Sequence, residues 1–177
     1  MGSKPMLLAG LVVLALGVVA VLPAWGEGES SDATRGSSSA QPAPEAQRDA
    51  LAQSAKVQGA PGRDLVLSRV VVPPGAKLAL HHHLGTQVAH IESGVLTYTV
   101  SQGSVVVSRG QSDEDPTVVR AIRAGQTAAI KPGQWIVEQP SDIHRAANKG
   151  GKPVVIYLAT LLKAGAPPAT VVSEDGY

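Results

Sequence analysis

The chain has 177 residues, enough for one domain with a real core once its first fifty or so residues are set aside. It contains no cysteine, which excludes disulfide frameworks, thiolate metal sites, thiol nucleophiles and lipoprotein attachment through Cys, so any metal must be held by N and O ligands. The formal net charge is only +1, with charges of both signs interspersed, and no nucleic-acid partner is expected. Apolar content rests on Val, Leu, Ile and Ala, with no Phe, three Tyr and two Trp, and β-branched richness of this kind favours sheet over helix.

In chain order, "MGSKP" precedes 17 uncharged residues, Met6 to Leu22, followed by "PAWGEGES" with small residues at Ala24 and Gly26. A positive start, an apolar run and small residues before Glu27 resemble a secretory signal. The competing reading is an uncleaved anchor, a membrane tether through residues 6–22, because this run is at the lower edge of the roughly 17 to 25 residues that span a bilayer. Both readings put the folded part outside the cytoplasm. Residues 1–26 are thus read as signal peptide or membrane anchor, 27–56 as flexible linker and 57–177 as the folded domain. "EGESSDATRGSSSAQPAPEAQ" holds no apolar residue larger than Ala and cannot bury enough surface to order itself, while "RDALAQSAK" (48–56) is compatible with a short helix.

From Asp64 the texture changes to short apolar runs: "DLVLSRVVV", "KLALH", "QVAHIE", "VLTYTV", "SVVVS", "TVVRAI", "QTAAI", "QWIVE", "HRAAN" and "PVVIYLATLL". Short strands at regular spacing, with turn residues between them, predict an all-β sandwich or barrel. "PPG" at 73–75, "KPG" at 131–133 and "NKGGKP" at 148–153 are turns, and "RGQSDEDP" (109–116) reads as a hairpin tip. No GxGxxG, P-loop or nucleophile-elbow motif is present.

Four of the five histidines fall in "LALHHHLGTQVAH", Leu78 to His90, and the fifth is His144. On a strand, alternate residues share a face, so His81 and His83 project together while His82 points away. Two imidazoles at i and i+2 can chelate one ion; Gln87 follows closely, and a neighbouring antiparallel strand carrying His144 can supply a third. Three neutral imidazoles suit Fe, Zn, Ni, Cu or Mn and leave coordination positions open.

At these residues the sequence resembles the cupin superfamily, in particular its small single-domain (cupin type-2, RmlC-like) members. Gly75, five residues, His81-x-His83, three residues, Gln87, six residues and Gly94 reproduce the spacing of the first cupin motif, with Gln in place of the usual Glu. Gly133, His144 and Asn148 fall in register with the second, although Gln139 and Ser141 replace its Pro and Gly. The resemblance implies a double-stranded β-helix, the cupin or jelly-roll barrel. It implies His81, His83 and His144 as metal ligands with Gln87 in the place of the carboxylate ligand, a divalent metal ion (Fe, Mn, Zn or Ni), a small-molecule ligand or substrate, and a homodimer. Three-histidine members that lack the acid occur among thiol and diketone dioxygenases. A Gln oxygen is a neutral and weaker donor than a carboxylate, so the site would be more electrophilic and would lack a carboxylate base among its ligands.

The remaining candidates have bland readings beside the sharp ones. His90, opposite in parity to Gln87, reads as packing or solvent-facing. Glu138 reads first as a strand-surface charge, its sharper alternative being a base or a partner to the ligands. Trp135 and Tyr98 read as packing before pocket walls, and Asn148 as a turn-holding side chain. Two functional classes follow: a mononuclear metal enzyme of dioxygenase-like or isomerase/lyase-like chemistry, or a non-catalytic module that binds a metal or small ligand.

Overall fold

The computed structural model describes residues 42–111, 114 and 117–173; the apolar run at 6–22 and the first half of the expected linker, 27–41, lie outside the described residues. Among the described residues the regular elements are all strands: β1 (Gln47–Ser54), β2 (Arg63–Val72), β3 (Lys77–His82), β4 (Gly85–Ser93), β5 (Leu96–Gln102), β6 (Ser104–Arg109), β7 (Thr117–Arg123), β8 (Thr127–Ile130), β9 (Gln134–Glu138), β10 (Ile143–Ala147), β11 (Val154–Lys163) and β12 (Thr170–Val171). Each of the ten apolar runs becomes one strand, β2 to β11, because alternating apolar residues can bury one face while the other meets solvent. β5 shows it plainly: Leu96, Tyr98 and Val100 are buried, and Thr97 and Thr99 are not.

The strands form two antiparallel sheets, ordered β1-β2-β11-β4-β9-β6-β7 and β12-β3-β10-β5-β8. The chain from β2 to β5 pairs with the chain from β8 to β11 as one long ribbon. Its successive rungs β5/β8, β4/β9, β3/β10 and β2/β11 fall alternately in the five-stranded and seven-stranded sheets. A ribbon coiled in this way is a double-stranded β-helix, the jelly-roll barrel expected from the motifs. The β6–β7 hairpin extends the larger sheet at one edge, which is where the extra length between the two motifs goes.

One element differs from expectation. Residues 48–56, read as linker or short helix, contribute instead to β1, which pairs antiparallel with β2 at the other edge of the larger sheet. The sheet therefore begins inside the 27–56 stretch. Open backbone groups on the β2 edge supply the hydrogen bonds that outweigh the modest helix propensity of an Ala-containing segment.

The core is aliphatic: Ile91, Val100, Val107, Ile136 and Val154 are fully buried. The motif glycines have geometric roles. Gly133 closes the "KPG" turn at φ 75°, and Gly94 adopts φ 76° where an added Cβ would stand 2.6 Å from the Pro153 carbonyl oxygen.

Candidate metal centre

The ribbon pairing assembles the site. In the β3/β10 ladder His81 is directly opposite His144, and in the β4/β9 ladder Gln87 is directly opposite Glu138. Directly opposed residues share a sheet face, so two histidines and a Gln–Glu pair converge from adjoining rungs. His83 joins them from the corner just past β3, while His82 is less buried and lies opposite Thr170 of β12. The i, i+2 parity holds: His81, His83 and His144 are all buried, and their ligand atoms lie within 4.8 Å of one another, a spacing able to hold a metal ion.

His144 keeps its place although the second motif departs from its pattern. The turn at 139–142 is closed by the Asp142 amide donating to the Gln139 carbonyl (3.0 Å) and the Gln139 amide donating to Asp142 Oδ2 (2.8 Å). This reciprocal cap replaces the missing Pro and Gly. Register irregularities on both flanks of His144 then turn its side chain inward.

Two of the rings are locked by the backbone. His81 Nδ1 donates to the Ala79 carbonyl and His83 Nδ1 to the Pro168 carbonyl, each at 2.7 Å. A carbonyl can only accept, so both Nδ1 atoms carry a proton, which in the neutral form of either ring leaves the lone pair on Nε2. This is the second contact that orients a metal-binding imidazole.

Glu138, read from the sequence as a surface charge, is instead buried at the centre of the cluster. Gln87 Nε2 donates to Glu138 Oε2 and, at 3.0 Å, to His83 Nε2; the Tyr98 hydroxyl donates to Glu138 Oε1 at 2.6 Å; and His144 Nε2 lies 3.1 Å from that same oxygen. Tyr98, read as packing, also stacks on the His144 ring with centroids 5.0 Å apart. The signal for Glu138 was strand parity: it shares a face with Gln134 and Ile136, both buried, whereas Trp135 and Val137 are only partly so. His90 is partly buried, away from the cluster's face, and Trp135 donates from Nε1 to the Gly110 carbonyl at the β6–β7 hairpin.

Burial pulls the His144 pKa down to about 4, with repulsion from His81 and His83 adding to it and Glu138 opposing; burial likewise lowers that of His83. Burial by itself would raise Glu138, but His144, His83 and the hydrogen bonds from Tyr98 and Gln87 outweigh it and hold the carboxyl below its ordinary value. Burial and Glu138 push Tyr98 well above its usual range. His83 and His144 are therefore neutral at neutral pH beside an ionised Glu138, and the three histidines form a group that fits a divalent cation. The buried Gln87 Oε1, which has no hydrogen-bond partner, marks polar capacity left unused. A cavity of about 160 Å3 adjoins the cluster, with Val70, Ile156 and Leu158 among its apolar walls.

Fold and centre together define a double-stranded β-helix protein with a buried three-histidine, one-carboxylate cluster. No protein-family pattern matches the sequence, and no curated protein does. Solved structures of similar shape include a cupin 2 domain-containing protein from Halorhodospira halophila (15% identity, 74% of this chain and 72% of that chain, TM-score 0.48). A cupin-like protein from Thermotoga maritima has 18% identity over 75% of this chain and 81% of its own, with a TM-score of 0.44. A polyketide cyclase from Streptomyces resistomycificus has 18% identity over 76% and 78%, with a TM-score of 0.49.

Proposed function

We propose that the chain is a cupin-superfamily enzyme working outside the cytoplasm. In it His81, His83, His144 and Glu138 hold one divalent metal (Fe, Mn, Zn or Ni), and the adjoining cavity takes a small organic substrate for proton-transfer chemistry of the isomerase or lyase type. The observation that carries this reading is the double cross-strand pairing, His81 with His144 and Gln87 with Glu138, which with His83 from the β3–β4 corner brings three imidazoles and a carboxylate to one cavity. The spacing of the two sequence motifs supports the family, and the apolar Met6–Leu22 run supports the location. In this reading the carboxylate comes from β9 rather than β4, and Gln87, expected to coordinate, orients it through its amide NH2.

A bound divalent metal supplies Lewis-acid polarisation of a substrate oxygen. The protein supplies the rest. Glu138, ionised and out of water, is held by Tyr98 and Gln87 as a fixed acceptor for a substrate proton. The Tyr98 hydroxyl on Oε1 restrains that oxygen, and the apolar walls exclude bulk water. Because a carboxylate stands in the cluster after all, proton abstraction is favoured over the dioxygenase chemistry of acid-less relatives.

The test is elemental analysis of the purified full chain, followed by two activity readouts over a panel of small organic acids and carbonyl compounds: deuterium uptake from D2O and oxygen consumption. About one equivalent of metal is expected, lost in His83→Ala and weakened in Glu138→Gln, with deuterium uptake and no oxygen consumption. Absence of stoichiometric metal from the metal-replete wild type overturns the centre. Oxygen consumption would replace the isomerase or lyase reading with a dioxygenase, and silence in both readouts would leave a binding module.

A further inference from the structure

One charged side chain at the cavity plays no part in the centre. Arg48 lies in β1, the edge strand that the sequence concealed, and is directly opposite Val70 of β2. Val70 is buried and lines the cavity, so its cross-strand partner is aimed to the same side of the sheet. Arg48 accordingly lines the cavity together with His83, Glu138 and Pro168, while remaining largely exposed at its rim. Among the described residues it has no hydrogen-bond or ion-pair partner, although its charge is felt at both Glu138 and His83. An unpaired guanidinium at the mouth of a mostly apolar hollow, with a donor cluster in the wall, has the layout of a two-ended ligand site.

Resting on the reading of this cavity as the substrate site, we infer that the substrate is a small monocarboxylic acid, with its carboxylate taken by Arg48 and its other end directed toward the histidine cluster. Three features select that class. The guanidinium fork matches the planar pair of carboxylate oxygens. About 160 Å3 suits the body of a short acid rather than the whole of a long chain or a sugar chain. The cavity's lining includes the aliphatic Val70, Ile156 and Leu158, which suit a hydrocarbon body.

The test is calorimetric titration of the full chain, metal-free and metal-loaded, with butyrate, its uncharged isostere butyramide, and decanoate as an acid too long for the cavity. Saturable butyrate binding is expected, with butyramide about tenfold or more weaker and decanoate excluded. Arg48→Gln should weaken butyrate by about ten- to a hundredfold, as for a lost charge-assisted hydrogen bond, and Arg48→Lys should fall between. Because Arg48 is a rim residue, both variants should melt with the wild type and retain its metal content, which separates this inference from the metal reading. Equal binding of butyrate by wild type and Arg48→Gln overturns it, as does equal binding of butyrate and butyramide, or no butyrate binding by the wild type in either metal state. If the wild type holds no metal yet binds butyrate through Arg48, the metal centre falls and the carboxylate site stands.

Discussion

Gln87 and Glu138 are best understood as one unit. They face each other across β4 and β9, and the amide NH2 of one holds the buried carboxylate of the other. Gln87→Glu would set two carboxylates against each other there, and like charges in a desolvated site cannot both ionise cheaply. In the metal-free chain at pH 7.5 that variant should lose about 3 kcal/mol in urea unfolding, while the swap Gln87→Glu/Glu138→Gln should recover all but about 1 kcal/mol. If the double variant is no more stable than the sum of the single losses, the reciprocal pairing is wrong. The histidines add a pH dependence of definite sign. With His144 held at about 4 against an ordinary 6.5, the unfolded chain binds a proton in that interval that the folded chain refuses. Stability is therefore complete above about 6.5 and declines as the pH falls toward 4, and the lowered pKa of Glu138 acts in the same direction. Melting of the metal-free chain at pH 5 should come several degrees below that at pH 7.5, and His144→Gln should flatten the slope.

At the scale of elements, the site depends on β3 and β10 remaining in register, and Asn148 holds their common end. Its amide donates to the carbonyls of Val72 and Lys152, both at 2.8 Å, and its Oδ1 accepts from the Gly150 amide at 2.9 Å. Its backbone pairs with Gly75 and Ala76. Asn148→Ala leaves buried carbonyls unsatisfied and should cost about 3 kcal/mol, read as a lowered urea midpoint. Asn148→Asp should do no better, since a carboxylate oxygen would then face those carbonyls. The C-terminal segment acts similarly from the other end: Pro168 locks His83, and β12 pairs with β3 at His81 and His82.

For the whole molecule, the proposed centre would link metal binding to the fold. The proposed donors sit on β3, β9, β10 and the β3–β4 corner, so a metal that binds only the folded chain would stabilise all of these together. Loading at a hundred times the dissociation constant should contribute about 2.7 kcal/mol and raise the melting temperature by about 8 °C, with full reversal by chelator; an unchanged melting curve would count against the centre. The strands β2 to β11 were legible because alternation of Val, Leu and Ile with polar residues is a local property with a period of two. The His81 and His83 pair was legible for the same reason, and the two motifs carried His144 with it. β1 was not legible, because Gln47–Ser54 has no apolar pattern and is a strand only through the edge that β2 offers it. Glu138 and Arg48 were misjudged or unseen for a related reason. Whether a charged side chain on a strand meets water or a cavity depends on which strand is placed opposite, and that pairing is settled only when the ribbon coils. Sequence by itself determined the strand series and the three histidines; the tertiary structure alone decided that Glu138 of β9 is buried opposite Gln87 of β4 and that Arg48 lines the cavity, because both follow from contacts between residues far apart in the chain.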